Sequence, residues 1–300
     1  MDWYFILRII PLLVFVTANK NLLVFNHLPK AGGTEIKTCL HTAFGHENIY
    51  VWSDYINFTP LRDSTKPLSD RQINYITHQP HQTQWLVLLE YQGMEVLHST
   101  DHMFVIGSIR EPCSYYLSDW AYKSMLVEKY NTSYGVRTKY MGRDEHYASE
   151  ADVHRFRQYI NRVTTVGKDE EVLIQLRKAG VFNGGFLTQR FLLSYSIEGR
   201  PFSLNDVDCW VREEHLHADL NQCLQRYQKQ GGSVPKFEEF THYIRAKNTH
   251  ANPTDHKTCS YYYDEHTTAN VLESERFLYE TFNMTGCCNP EYPNPNDRML

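Results

Sequence analysis

Residues 19–300 read as one α/β domain with a mostly parallel central sheet flanked by helices. Short apolar runs, Leu22 to Phe25 and Met103 to Ile109, have the length of buried strands and lie between turn residues. Each is followed by a turn and then by apolar residues at helical spacing, the alternation expected of strand–helix units. No linker, internal repeat or low-complexity segment divides the chain. At 300 residues, 42% hydrophobic and 14% aromatic, it is long enough to bury a sizeable core.

The first stretch, Trp3 to Ala18, is apolar, 16 residues long and interrupted by Arg8. A full membrane span needs about 20 residues, so residues 1–18 read as a signal peptide or as a short signal anchor. In the first case Ile9 to Val16 is the apolar core and Val16-Thr-Ala18 the cleavage site. Both readings send the chain into the secretory pathway.

Residues 22–37, Leu-Leu-Val-Phe-Asn-His-Leu-Pro-Lys-Ala-Gly-Gly-Thr-Glu-Ile-Lys, carry the first chemical signal. A strand over 22–27 cannot run on through Pro29, which lacks an N–H, and Gly32-Gly33 open conformations closed to other residues. From Thr34 a helical pattern begins, with Ile36, Cys39, Leu40 and Ala43 on one face. In such a unit the turn's N–H groups and the helix N-terminus attract an anion, and Lys30 can neutralise a phosphate. The unit is P-loop-like. An ATP or GTP loop, however, places its lysine after the glycines, in Gly-x4-Gly-Lys-Ser/Thr. Here Lys30 precedes them, which counts against a nucleotide kinase, the alternative enzyme reading.

A second junction follows the strand over 103–109. Arg110-Glu111-Pro112 leads into a helix in which Pro112 suits the first turn, and Ser118 stands eight residues after Arg110. A guanidinium and a hydroxyl near a helix start can hold a terminal phosphate.

Together, His27-Leu-Pro-Lys-Ala-Gly-Gly-Thr34 and Arg110-Glu-Pro112 with Ser118 resemble the two nucleotide motifs of the carbohydrate sulfotransferases, Golgi-type enzymes of the heparan and chondroitin O-sulfotransferase kind. These use 3′-phosphoadenosine 5′-phosphosulfate (PAPS) as co-substrate. The resemblance covers nearly everything after residue 20 in element order, and in the C-terminal half it is carried by spacing. It implies that Lys30, Ala31, Gly32, Gly33 and Thr34 form the 5′-phosphosulfate loop and that Arg110 and Ser118 hold the 3′-phosphate. An arginine that the family often carries five residues after the first is Tyr115 here. A Golgi-lumenal enzyme is implied, anchored through residues 3–18 or secreted if residues 1–18 are cleaved.

Sulfuryl transfer needs fixed positive charge at the leaving oxygen and a base for the acceptor hydroxyl. Lys30 and the N–H groups of Gly32 to Thr34 meet the first need; no metal is required, and the sequence offers no ligand set for one. For the base we choose His78, an imidazole able to accept a proton near neutrality, at the end of a strand expected over 73–77. His81 is the rival, and family branches that use a glutamate leave Glu47 or Asp54. The acceptor is expected to be an anionic carbohydrate. Between Lys123 and Arg162 stand eight Lys/Arg against five Asp/Glu, with Tyr122 just before them and Tyr130, Tyr134, Tyr140, Tyr147 and Tyr159 interleaved. Those rings read as stacking platforms for sugar, or the stretch as a solvated helical insertion. A non-catalytic binder of sulfated glycans would explain that stretch but not Lys30, Arg110 and Ser118 together. Protein tyrosine sulfation remains a further reading within the enzyme class. The net charge of −5 gives no support to nucleic-acid binding.

Further elements follow in order. The stretch 48–69 is polar and turn-rich, and 83–98 is apolar and ambiguous between strand and helix. Helices are expected over 170–179, 185–195, 213–229 and near 268–282, with a short strand over 207–211. Seven cysteines fit an oxidising compartment. Cys209 with Cys223 and Cys259 with Cys287 or Cys288 are expected bridges, Cys39 and Cys113 buried thiols. Asn57, Asn131 and Asn283 open glycosylation sequons.

Overall fold

A computed structural model describes residues 22–28, 30–45, 49–53, 85–90, 103–130, 149–164, 184–195, 202–247 and 256–298. Five strands form one parallel sheet: β1 (Leu22–His27), β2 (Ile49–Ser53), β3 (Trp85–Glu90), β4 (Met103–Ile109) and β5 (Cys209–Arg212). Their order is β2-β3-β1-β4-β5, with Leu22 level with both Trp85 and Met103. The helices are α1 (Gly33–Phe44), α2 (Pro112–Tyr130), α3 (Glu150–Val163), α4 (Phe186–Tyr195), α5 (Leu216–Lys229), α6 (Phe237–Ala246), α7 (Cys259–Tyr262), α8 (Glu265–Ser274) and α9 (Arg276–Phe282).

β1, β4 and β5 are buried on both faces, as parallel strands between helical layers must be. Leu23 and Phe25 of β1, Phe104 and Ile106 of β4 and Val211 of β5 pack with α1, α5 and α6. Val24, Val105 and Trp210 point the other way, into a larger core with α2, α3, α4, α8 and α9. The chain therefore runs from β1 outward on one side of the sheet and returns to add β4 and β5 on the other. In open α/β sheets ligands bind where the order reverses, at the strands' C-terminal ends. Here that place is between β1 and β4. Its floor is the Tyr195 hydroxyl of α4, which accepts the Ser108 N–H and donates to the Asn26 carbonyl, each at 2.9 Å.

Several expectations shift. The strand over 207–211 begins at Cys209, because Val207 closes a 3-10 turn over Leu204–Asp206. The polar stretch after 48 contains β2 and the ambiguous stretch 83–98 contains β3. The expected last helix is two, α8 and α9, meeting at Glu275. The buried Glu275 carboxylate accepts hydrogen bonds from the Tyr116 hydroxyl and the Leu187 and Thr188 N–H groups. It thereby serves the N-terminus of α4 from a distance. The strand expected over 73–77 and the helix over 170–179 lie outside the described residues. Disulfides join Cys209–Cys223, Cys259–Cys288 and Cys113–Cys287. Cys113 is thus not the free thiol that its place in the second motif suggested; α2 starts against the C-terminal segment that carries Cys287. Cys39 is a buried free thiol, pushed up to about 12 by burial and by Glu35.

Candidate nucleotide site

The two junctions singled out in the sequence meet at the mouth of this crevice. After β1, the Leu28 carbonyl accepts the Ala31 N–H at 3.2 Å, and Lys30 and Gly32 both take left-handed backbone (φ 69° and 75°). Gly32 is the N-cap of α1 and offers no side chain to its first turn, so those N–H groups are left to be met from elsewhere. Glycine is required here for space as well. A Cβ on Gly32 would stand 2.6 Å from Leu216 Cδ1, and one on Gly33 would fall 1.7 Å from Nε2 of His27. The His27 ring, at the end of β1, therefore lies directly against the start of α1. Ala31 is buried and Thr34 exposed, so Ala31 can contribute through its backbone, whereas Thr34 also presents its side chain to solvent.

Arg110 joins the junctions. Its NH1 donates to the Lys30 carbonyl at 3.2 Å, and its Nε lies 3.5 Å from Oε2 of Glu213, just past β5. Arg110 and Glu213 side chains are each 16% exposed, enough for a ligand anion to approach. The Lys30 ammonium sits 3.9 Å over the ring of Tyr122 on α2. Ser118, 6% exposed, precedes Tyr122 by one helical turn and so shares its face. Lys30 thus touches Arg110 through its carbonyl and Tyr122 through its ammonium, with Ser118 one helical turn from Tyr122 on the same face of α2. Tyr115 is fully buried in the larger core, so its side chain does not reach the site. Tyr159 is buried too, donating to Asp119 at 2.7 Å. It is no stacking platform, because α3 turns its apolar stripe, Tyr159 included, inward. Tyr122 is exposed. The side chain of Tyr130, the whole of Tyr134, Tyr140 and Tyr147, and all four candidate bases (His78, His81, Glu47 and Asp54) lie outside the described residues.

Behind the site is a buried acidic layer that the sequence did not reveal. Glu111 turns back to cap α2, accepting the Cys113 and Ser114 N–H groups at 2.9 and 2.8 Å and the Tyr279 hydroxyl at 2.6 Å. Burial raises its pKa despite those donors. Glu214 accepts the Glu111 N–H at 3.1 Å and the Tyr292 hydroxyl at 2.9 Å. Burial, with the neighbouring Glu213 charge, pushes it up to about 7. On the far side of α1, Glu35 is held by Lys247 at 2.6 Å and His217 at 3.1 Å. Those partners draw its pKa below the usual range against the effect of burial. Glu35, Cys39 and His217 are close enough to hold a metal. The Lys247 ammonium already occupies that carboxylate, however, and the Cys39 thiol is held protonated. Glu111, Cys113 and Cys287 also cluster, but both sulfurs are spent in a disulfide. Neither group suits a cation. The roles of Glu213 and Glu214, and of Glu111 toward Tyr279, were hidden because they act across long sequence gaps; the one local hint was Glu111 beside Pro112, at the helix start it caps.

Among the described residues no helix is long and apolar enough to cross a membrane. Comparison with protein-family models, curated proteins and solved structures finds no match. The functional reading therefore rests on the site's own residues.

Proposed function

We propose that the chain is a PAPS-dependent O-sulfotransferase with a P-loop-like nucleotide site, acting on a hydroxyl of an anionic carbohydrate. The observation that carries the reading is the hydrogen bond from Arg110 to the Lys30 carbonyl. It draws together two motifs 80 residues apart in sequence at the point where the strand order reverses. A nucleotide with phosphates at both ends of its ribose fits that pairing. The Lys30 loop and the uncapped start of α1 take the 5′-phosphosulfate, and Arg110 with Ser118 takes the 3′-phosphate. An NTP leaves Arg110 and Ser118 without a purpose.

In the reaction the acceptor oxygen attacks sulfur in line. The bond from sulfur to the bridging phosphate oxygen breaks, 3′,5′-bisphosphoadenosine leaves with its electron pair, and the acceptor proton passes to a base, for which His78 is our assignment. Charge accumulates on the leaving oxygen, where Lys30 and the N–H groups of Gly32 to Thr34 stabilise it. Arg110 meets a phosphate that does not react, so it serves binding. Three disulfides support a secretory-pathway setting, the Golgi lumen, with residues 1–18 as signal peptide or anchor. The test is transfer of ³⁵S from labelled PAPS to heparan, chondroitin, dermatan and glycolipid acceptors. Label on one of these is the expected result. Absence of transfer together with equal binding of ATP and bisphosphoadenosine would overturn the reading.

A further inference from the structure

The phosphate reading leaves one contact at the site without a role: the Lys30 ammonium lies 3.9 Å over the ring of Tyr122. Tyr122 is 37% exposed, one of two large hydrophobic side chains left exposed among the described residues. Its neighbours on α2 follow the usual rule, with Trp120 and Ala121 in the core. An aromatic ring kept at the surface beside a charged loop offers a flat apolar face with polarised C–H and cation affinity. That face suits the C–H side of a pyranose ring. Ser118 lies one turn nearer the start of α2, so along this face the 3′-phosphate ligand comes first and the ring next.

We propose that the Tyr122 ring is the platform for the sugar acceptor, and that Lys30 lies across it until nucleotide draws the ammonium away. The proposal rests on the sulfotransferase reading. One ammonium cannot lie on the ring and bind the 5′-phosphate in full at the same time. A cation over an exposed ring is held more weakly than one in a charge-assisted bond to phosphate, so nucleotide wins Lys30 and uncovers Tyr122. Nucleotide and glycan then bind with positive coupling, and by linkage each strengthens the other. The acceptor meets its platform only when the sulfuryl donor is in place.

Calorimetry on wild type, Tyr122→Ala, Tyr122→Leu and Tyr122→Phe tests this, with bisphosphoadenosine and with heparan and chondroitin chains as probes. Removing the ring removes a competitor for Lys30, so Tyr122→Ala and Tyr122→Leu bind bisphosphoadenosine about two- to fivefold more tightly. The same variants bind the glycan about two- to tenfold more weakly and lose the gain in glycan affinity that saturating bisphosphoadenosine gives wild type. Tyr122→Phe keeps the ring and behaves as wild type. A purely structural role for Tyr122 would weaken both ligands together. That outcome, or Tyr122→Leu indistinguishable from wild type, or wild type that binds bisphosphoadenosine but neither glycan, overturns the proposal. Wild type that binds no bisphosphoadenosine instead removes the sulfotransferase reading beneath it.

Discussion

The two strand-to-helix junctions differ in how their helices begin. At β1–α1 the N-cap is Gly32, which has no side chain with which to cap the first turn, the His27 ring packs against Gly33, and the loop bends through two left-handed residues. At β4–α2 the buried Glu111 carboxylate already fills the helix start, accepting two N–H groups. The second junction is also tied to the C-terminal half by Tyr279, Glu214 and the Cys113–Cys287 bridge. A helix N-terminus can serve an external anion only if the protein has not supplied its own. On the proposed reading the first junction receives the 5′-phosphosulfate, while the second, capped by Glu111, holds Arg110 and Ser118 still. Anion binding at the second must come from side chains rather than from the helix end.

The largest expected effects fall on the transfer step. If His78 removes the acceptor proton, His78→Ala lowers transfer by roughly 10²–10⁴-fold and leaves bisphosphoadenosine affinity near wild type. Near-normal turnover would pass the role to His81, Glu47 or Asp54. Lys30→Ala should lower turnover by roughly 10²–10³-fold, the usual cost of losing one group that stabilises developing charge, with a smaller change in nucleotide affinity. Steady-state kinetics with labelled PAPS separates the two effects. A loss confined to KM would mean that Lys30 only binds.

Stability distinguishes the junctions in the opposite sense. Glu111→Ala removes a helix cap and leaves Tyr279 without its acceptor, so it should cost about 2–4 kcal/mol by denaturant unfolding. Gly32 supplies no equivalent cap at α1. An unchanged midpoint for this variant would break the contrast. A subtler effect comes from Glu214, whose folded pKa of about 7 exceeds its ordinary value of 4.5. The folded state favours the protonated acid, so this contribution to stability is complete below about pH 4.5 and is lost as pH rises through about 7. Its full size is on the order of 3 kcal/mol. Glu214→Gln, which mimics the protonated form, should be more stable than wild type at pH 8 and lose that advantage near pH 4.5. Parallel stability curves for the two proteins would show that Glu214 titrates normally.

Short-range signals account for what the sequence revealed. Leu22–His27 and Met103–Ile109 are largely apolar and bounded by turn residues, so both strands were legible to the residue, as was the turn that separates β1 from α1. Ile49–Ser53 was missed because an edge strand of five residues inside polar surroundings carries little periodicity. The single helix expected near 268–282 splits at Glu275 because that carboxylate is needed at the start of α4, a demand set by residues 87 and 88 positions away. Glu213 and Glu214 were read as the first turn of a helix; their contacts with Arg110 and Glu111 exist only once β5 lies beside β4. The pairing of Cys113 was hidden for the same reason, its partner being 174 residues on.

The central claim is that Arg110 recognises a 3′-phosphate beside a loop that holds the 5′ end. Calorimetry of wild type and Arg110→Ala with bisphosphoadenosine, AMP and ATP tests it most directly. Wild type should prefer bisphosphoadenosine to AMP by about 10- to 100-fold, the worth of hydrogen bonds to a charged group. In Arg110→Ala that preference should disappear while AMP binding stays nearly unchanged. Wild-type protein that binds ATP as tightly as bisphosphoadenosine, or an Arg110→Ala variant that keeps the preference, would contradict it.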